Sequence, residues 1–436
     1  MVTSNSLFFC SLYITRGIIS FLNIKVDMQQ KNRVIITSVV GTFVEWVEFS
    51  FYGYLAFKFS RLFFPETTPY AMVLSLCIFA ISYLGRPLGS ILFGIIGDRL
   101  GRKKALSLSL TLMGVATLGI GLLPSYETVG VVAPLMLLFL RVIQSISVSG
   151  EFTGAAIFVA EHYHGHFDNL AVSWVSFAAA LGMMFGAAMA AIVSWSMMPT
   201  WFWRVPFYLG FVGCSVGLYF RLSMTESPKF ETIRLGKLFF NGIEEFKNSS
   251  RELIQCFFVA AFVGVYIYIC NLWWVSYVIQ RGFLSSQSAH WVATFGMAIV
   301  TVLTPVAALV ADRVGTQKLL KIGLGSSIIT VPLIFYLTGL SSIYFALCAQ
   351  VLYAFSNILV TGSMFRYLVD IFPVNIRYTG MGVAWSFSVT IFGGTAPLLA
   401  QYLAIDLENI GYVMIYICVI ALIALFCISF LKLNHG

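Results

Sequence analysis

Gly94-Ile95-Ile96-Gly97-Asp98-Arg99-Leu100-Gly101-Arg102-Lys103-Lys104 sets a basic turn between two long apolar runs, and its centre returns in the second half of the chain as Asp312-Arg313-Val314-Gly315. A turn repeated in that way marks two similar halves. The composition around it says what the halves are made of: 59% of the 436 residues are apolar and 10% are charged, against roughly 25% charged in an ordinary soluble domain. A water-soluble fold is excluded. A helix crosses the roughly 30 Å hydrocarbon layer with about 20 apolar residues, so the chain has room for about twelve spans and their loops. Runs bounded by Gly, Pro and charge place them near 34–57, 70–97, 105–123, 129–160, 170–193, 204–222, 252–278, 288–311, 319–338, 341–371, 378–404 and 411–431. The fold class read from this is an all-α membrane protein with twelve transmembrane helices in two six-helix bundles. Duplicated halves with a site between them at the midplane are the build of alternating-access carriers.

The basic residues orient the spans. Lys58, Arg61 and Arg281 are the lysines and arginines in loops opposite the termini, whereas the loops on the termini's side carry Arg99, Arg102, Lys103, Lys104, Arg221, Arg313, Lys318, Lys321, Arg377 and others. The excess places both termini in the cytoplasm. A net charge of +8 is therefore a topology signal, and nucleic acid is not a partner. The expected division is a leader at 1–27 outside the functional chain or lying at the interface, an N-terminal bundle at 28–222, a cytoplasmic linker at 223–251 and a C-terminal bundle at 252–436. Arg16 and Asn23 interrupt the leader's apolar run, and Met28 opens a short basic tail before the first span. Within the linker, Leu235-Gly236-Lys237-Leu238-Phe239-Phe240 continues with helical spacing that suits a membrane surface. The eight cysteines lie in apolar segments without paired spacing and read as free thiols.

Glu45, Glu48, Arg86, Arg141, Glu151 and Arg366 fall inside spans, where an ionised side chain facing lipid costs about 2.5–3.5 kcal/mol on insertion scales. They are expected to face the protein interior or a wet path. Glu45 and Glu48 project from one side of the first helix, and Gln144 and Glu151 share a side of the fourth. Burial favours a protonated carboxyl and a neighbouring arginine an ionised one, so a glutamate whose arginine contact changes between states can carry a proton across. Glu48, Glu151 and Glu45 are the proton-coupling candidates, with a permanent ion pair as the structural alternative. Arg86 precedes Pro87, which kinks a helix beside a guanidinium suited to a carboxylate. Arg141, Gln144 and Arg366 are further substrate-binding candidates, and Trp46, Tyr52, Trp174, Trp274 and Trp385 are aromatic faces for a cationic group. Gly182 and Gly186 read as a close helix contact. His162, His164 and His166 alternate on a short loop and read as solvated, so no metal is expected. No GxxxxGK[ST] or H-E-x-x-H occurs, and neither a cofactor nor an enzyme is expected.

The turn at 94–103 is similar to the loop signature of the major facilitator superfamily, with a weaker echo at 312. Glu45-Trp46-Val47-Glu48-Phe49, Arg86-Pro87-Leu88-Gly89 and Ser149-Gly150-Glu151-Phe152-Thr153-Gly154-Ala155 resemble its metabolite:proton symporter branch. So do Trp203-Arg204-Val205-Pro206-Phe207, Glu226-Ser227-Pro228-Lys229-Phe230, Asp370-Ile371-Phe372-Pro373 with Arg377-Tyr378-Thr379-Gly380, and Phe392-Gly393-Gly394-Thr395-Ala396-Pro397. The wording is closest to proline/betaine transporters, and carriers of 2-oxoglutarate, citrate and shikimate share most of it. The resemblance implies proton-coupled uptake of a small zwitterion or a small organic acid, by a monomer in a bacterial inner membrane. A non-transporting sensor on the same fold is the reading from another class. The resemblance also gives Asp98, Arg99, Arg102, Asp312, Asp370 and Arg377 gating roles. Ala308 stands where the second signature has Gly, and Thr316-Gln317 where it has basic residues. The second loop is therefore expected to hold its gate less firmly than the first.

Overall fold

The computed structural model describes residues 35, 36, 38–65, 67–100, 102–149, 151–163, 167–222, 249–373 and 376–431, with backbone alone at 94, 95, 97–100, 102, 103, 105, 106, 151, 162, 220 and 221. The leader and most of the linker lie outside these residues, as do His164 and His166. Every regular element among them is helical, and twelve helices cross the apolar layer. They are α1 (38–62), α2 (Ala71–Tyr83 and Gly85–Leu100), α3 (Arg102–Leu122), α4 (Val132–Val148 and Glu151–His162), α5 (Asp168–Val193) and α6 (Val205–Leu222). In the second half come α7 (Ser250–Gln280), α8 (Ser286–Val314), α9 (Thr316–Gly339), α10 (Ile343–Ile371), α11 (Arg377–Asp406) and α12 (Ile410–Phe430). Nine of the described helices are each long and apolar enough to span a membrane by themselves, and α1, α3 and α6 complete the set. Twelve crossings bring the start of α1 and the end of α12 to one face, the terminal face; the other is the far face.

α1 runs to residue 62 rather than 57. Lys58 and Arg61 stay helical because long basic side chains can lay their stems along apolar surface and carry the charge to the edge. Lys58 Nζ donates to the carbonyl oxygen of Val193 at the end of α5 (3.1 Å), and Arg61 lies over the Phe57 ring. α3 likewise starts at Arg102 rather than 105. A single residue, Gly315, joins α8 to α9 with φ 105°. Only a residue without Cβ turns there without strain, which accounts for the glycine that closes the second copy of the repeated turn.

Close approaches hold each bundle together. A Cβ on Gly182 of α5 would lie 2.8 Å from the Phe43 carbonyl oxygen of α1, and one on Gly186 would lie 1.9 Å from Ser50 Oγ. The bundles meet mainly where α5 packs along α8 and where α2 packs on α11. Several helices are interrupted at mid-depth. α4 breaks between Val148 and Glu151, and α10 breaks at Gly362 and Ser363, between Thr361 and Met364. These are corresponding positions of the two halves, and broken helices in corresponding positions point to a binding site. α7 has a π-helical stretch, Tyr268–Trp273, and α11 has another, Val389–Gly393.

Candidate functional site

The break in α2 follows from Pro87. Proline has no N–H, so the carbonyl of Tyr83, four residues earlier, loses its helical donor. Thr390 Oγ1 of α11 supplies a donor to that carbonyl at 3.0 Å. The kink sets Arg86 beside a small cavity at mid-depth, lined by Glu45, Glu48 and Phe49 of α1, Ser82, Tyr83 and Arg86 of α2, Met113 of α3, and Arg141, Gln144, Ser145 and Val148 of α4. Glu45 and Glu48 do share a side of α1, and Gln144 shares the cavity with them.

All four charges of this cavity are buried, Glu48 at 1% and Arg141 at 4% exposure. Arg141 donates to Gln144 Oε1 (2.7 Å), Gln144 Nε2 donates to Thr117 Oγ1 (2.7 Å) and to Glu48 Oε2 (3.3 Å), and Thr117 donates to the same carboxyl oxygen. Cys214 of α6 donates its thiol hydrogen to the other, Oε1. Glu48 is thus held by three uncharged donors, and its nearest guanidinium in this network reaches it through a glutamine. Both arginines rest on aromatic faces, Arg141 over Tyr52 at 4.5 Å and Arg86 over Tyr83 at 4.6 Å. Such faces offset part of the cost of burying a cation. Nε of each guanidinium has no hydrogen-bond partner among the described residues.

A second small cavity lies between the halves. Trp46 of α1, Phe152 of α4 and Ser176, Ala179, Ala180 and Met183 of α5 face Val263 and Ile267 of α7, Met297 and Val300 of α8, and Asn357, Thr361 and Met364 of α10. It is an apolar chamber with a few polar groups, the usual character of a small-molecule site. Trp46 Nε1 and Ser176 Oγ are buried there without a hydrogen-bond partner among the described residues. Buried donors are nearly always satisfied, which sets this pair beside the chamber apart.

A family model described as the Major Facilitator Superfamily matches residues 34–393. The chain belongs to the major facilitator superfamily. It is 31% identical to the glycine betaine/proline/ectoine/pipecolic acid transporter of Dickeya dadantii, over 93% of this chain and 84% of that one. It is 30% identical to the proline/betaine transporter of Escherichia coli K12, over 92% and 83%. Among solved structures, the xylose transporter of E. coli in a partially occluded inward-open conformation superposes with TM-score 0.75 at 18% identity, over 93% of this chain and 99% of that one. A D-xylose-proton symporter gives 0.74 at 19%, over 93% and 98%. The last two establish the shared fold.

In this member of the superfamily the halves touch at both ends of the chamber, so the structure is occluded. Toward the terminal face Phe152 packs edge-on to Trp46 (5.0 Å between centroids), Phe365 (4.6 Å) and Trp385 (5.7 Å). Below that, Asp312 Oδ1 accepts from the Asn169 backbone N–H and side-chain amide (2.9 Å each), and Oδ2 accepts from the Leu170 N–H (3.2 Å). These N–H groups belong to the first turn of α5, where a carboxylate also meets the helix dipole. Arg366 pairs with Asp168 (3.3 Å) and Asp370 (2.8 Å), and Arg377 lies 3.9 Å from Glu161. Toward the far face Tyr54 donates to Asn271, Tyr83 donates to Tyr268 (3.0 Å), and His290 Nε2 lies 3.0 Å from the Tyr54 carbonyl oxygen.

The sequence-based candidates sort accordingly. Glu45, Glu48, Arg86, Arg141 and Gln144 line one cavity, Tyr52 lies beneath Arg141 with its hydroxyl on the Ser75 carbonyl (2.8 Å), Trp46 lines the chamber, and Trp385 closes it. Three are placed elsewhere. Trp274 is buried in the second half with Nε1 on Thr338 (2.9 Å), and Trp174 packs on Phe177 (5.0 Å). Arg366 is not beside either cavity, and its charge is matched by two aspartates, Asp168 and Asp370. The second loop meets α5 through the Asp312 carboxylate and through Thr316, whose Oγ1 accepts from Asn169 Nδ2 (3.0 Å). Glu151, Asp98, Arg99 and Arg102 have backbone placement only. Sequence reasoning passed over Thr117, Ser176, Asn271, Gln350 and Asn357, although an amide inside an apolar run is the same signal as a charge there, only weaker. Cys214 carries no such signal.

Proposed function

We propose that this carrier couples inward proton flow to uptake of a small zwitterion such as proline or glycine betaine, with Glu48 as the proton-bearing group. The observation that carries the reading is the cavity in which two glutamates and two arginines meet at mid-depth. With both carboxylates ionised its charges cancel. A proton on either leaves one positive charge in excess, which a solute carboxylate compensates, so proton and solute each lower the cost of the other's arrival. Glu48 fits the role because only neutral donors reach it, and Arg141 is freed from the Gln144 and Thr117 chain when the carboxylate is discharged. The relatives named for proline and betaine transport support the solute class. So do the aromatic faces of Trp46 and Phe152, which suit a methylated ammonium. Arg366 is already paired with Asp168 and Asp370, so it is not free to anchor an organic acid's carboxylate.

In this reading Asp98, Arg99, Arg102, Asp312, Asp370 and Arg377 act in the gate on the terminal face, and Glu151 and Glu45 lie on the proton's route. The bundles are residues 28–222 and 252–436, the terminal face is cytoplasmic, and the protein works as a monomer in a bacterial inner membrane. Purified protein in liposomes with an imposed pH gradient, inside alkaline, is the test. Proline or betaine accumulates and each competes with the other, whereas 2-oxoglutarate, citrate and shikimate do not. Competition by the acids alone reverses the substrate assignment, and accumulation indifferent to the gradient removes the coupling.

A further inference from the structure

His290 is buried at 2% exposure near the far-face end of α8. Its ring meets two carbonyl oxygens: Nδ1 lies 2.6 Å from that of Ser286, one turn back in α8, and Nε2 lies 3.0 Å from that of Tyr54 in α1, across the boundary between the halves. A carbonyl oxygen only accepts. A neutral imidazole has one N–H and one bare nitrogen, so it satisfies one of these contacts and turns a lone pair on the other; the imidazolium, with two N–H groups, satisfies both.

We propose that His290 is a second proton-binding site, separate from the glutamate cavity, and that its protonation locks the far face shut by tying α8 to α1. The carbonyl it takes on α1 belongs to Tyr54, whose hydroxyl donates to Asn271 of α7, and Asn271 Nδ2 donates on to Gln350 Oε1 of α10 (3.0 Å). One proton at His290 therefore bears on a run of contacts from α1 through α7 to α10. Opening of the far face separates α8 from α1 and strips the ring of its Tyr54 acceptor. Proton binding and closure then reinforce each other by linkage. Of the titratable groups around the ring, Tyr54 presents a ring edge-on with centroids 6.5 Å apart, and Lys58, one turn along α1, acts as a like charge. Lys58 opposes the proton and is drawn aside to the Val193 carbonyl. The inference goes beyond the coupling assigned to Glu48: it concerns which side of the carrier is open, and it holds whatever the solute.

The test reads the far-face opening directly. The full chain in lipid nanodiscs carries a spin-label pair at positions 197 and 341, in exposed far-face loops of the two halves, and the distance distribution is followed from about pH 8 to about pH 5.5, the interval in which an imidazole titrates. The closed-to-open ratio is expected to rise about tenfold on acidification, the change that one unit of proton-affinity difference between the two states gives. The rise persists in Glu48→Gln and is absent in His290→Gln, and His290→Arg, whose guanidinium stays charged across this interval, also gives a ratio independent of pH. A rise that survives in His290→Gln, or one missing from Glu48→Gln, overturns the proposal. The second outcome needs no histidine variant, so misfolding of either would leave the test intact. Retained gradient-driven accumulation in Glu48→Gln would instead count against the coupling reading and leave this one standing.

Discussion

At the residue scale the membrane makes Glu48 legible and hides its partners. An ionisable group in an apolar run stands out because lipid cannot solvate it, and that argument led to four of the residues that line the first cavity, Glu45, Glu48, Arg86 and Arg141. Thr117 and Cys214, which complete the carboxylate's shell, are small groups that any helix tolerates, so nothing in the string marks them. Glu48→Gln keeps the shape and removes the titration. We expect it to abolish accumulation driven by a pH gradient while solute exchange at equal pH continues, as measured in liposomes; gradient-driven accumulation in the variant would show that the proton is carried elsewhere. Trp46 allows a second test, since it lines the chamber and its indole N–H is buried without a partner among the described residues. Trp46→Phe retains an aromatic face and deletes the donor. A net hydrogen bond is worth about 0.5–1.5 kcal/mol, so KM for the solute should rise roughly three- to tenfold with kcat little changed. An unaltered KM would take the indole out of the site.

Elements were legible wherever periodicity and punctuation speak, and their interruptions were not. Twelve apolar runs gave the helices to within a few residues, because the hydrocarbon layer imposes a length that loops cannot share. The breaks in α4 and α10 carry no such mark, since Ser149 and the Gly362-Ser363 pair look in sequence like any other small residues in a span. Gly182 and Gly186 are the opposite case, recognisable by spacing and confirmed by contact with α1. They differ in what they touch. A methyl at 182 meets the backbone of Phe43 and Val47, which cannot move, whereas at 186 the nearest atom is the Ser50 hydroxyl. Overpacking costs about 1–3 kcal/mol, and Gly182→Ala should lie at the upper end of that range and Gly186→Ala lower. Thermal unfolding in detergent is the measurement, and Ser50→Ala is expected to recover part of the loss at 186 and none at 182. Recovery at both positions would mean that α1 and α5 adjust as rigid bodies.

For the whole molecule, the question is what keeps an occluded carrier from falling open on one side. Hydrophobic burial does little for this, since the lipid tails are as apolar as the helices they would replace; directional polar contacts between the halves have to set the balance. On the terminal face Asp312 holds three N–H donors of the α5 first turn, with the Arg366 and Asp168 pair beside it. The duplicated turn that revealed the two halves thus supplies a latch from one half to the other, a role visible in the repeat but not its strength, which depends on where α5 begins. Asp312→Asn keeps one acceptor, points an amide N–H at the Leu170 donor and removes the charge facing the helix N-terminus. That charge is worth about 0.3–1 kcal/mol when exposed and up to about 2 when partly buried, and the lost acceptor adds to it. We therefore expect the terminal face to open several-fold more often, read from labels across that face, and net uptake to slow. Contacts on the far face should be unchanged, because Tyr83 with Tyr268 and Tyr54 with Asn271 share no group with the latch. Replacing Asn169 as well should add less than its effect alone, since its amide serves the same carboxylate, with only the bond to Thr316 Oγ1 (3.0 Å) left to lose. Full additivity of Asp312→Asn and Asn169→Ala, or a terminal face no more open than in the unaltered protein, would show that the aromatic cluster of Trp46, Phe152, Phe365 and Trp385 closes this side by itself.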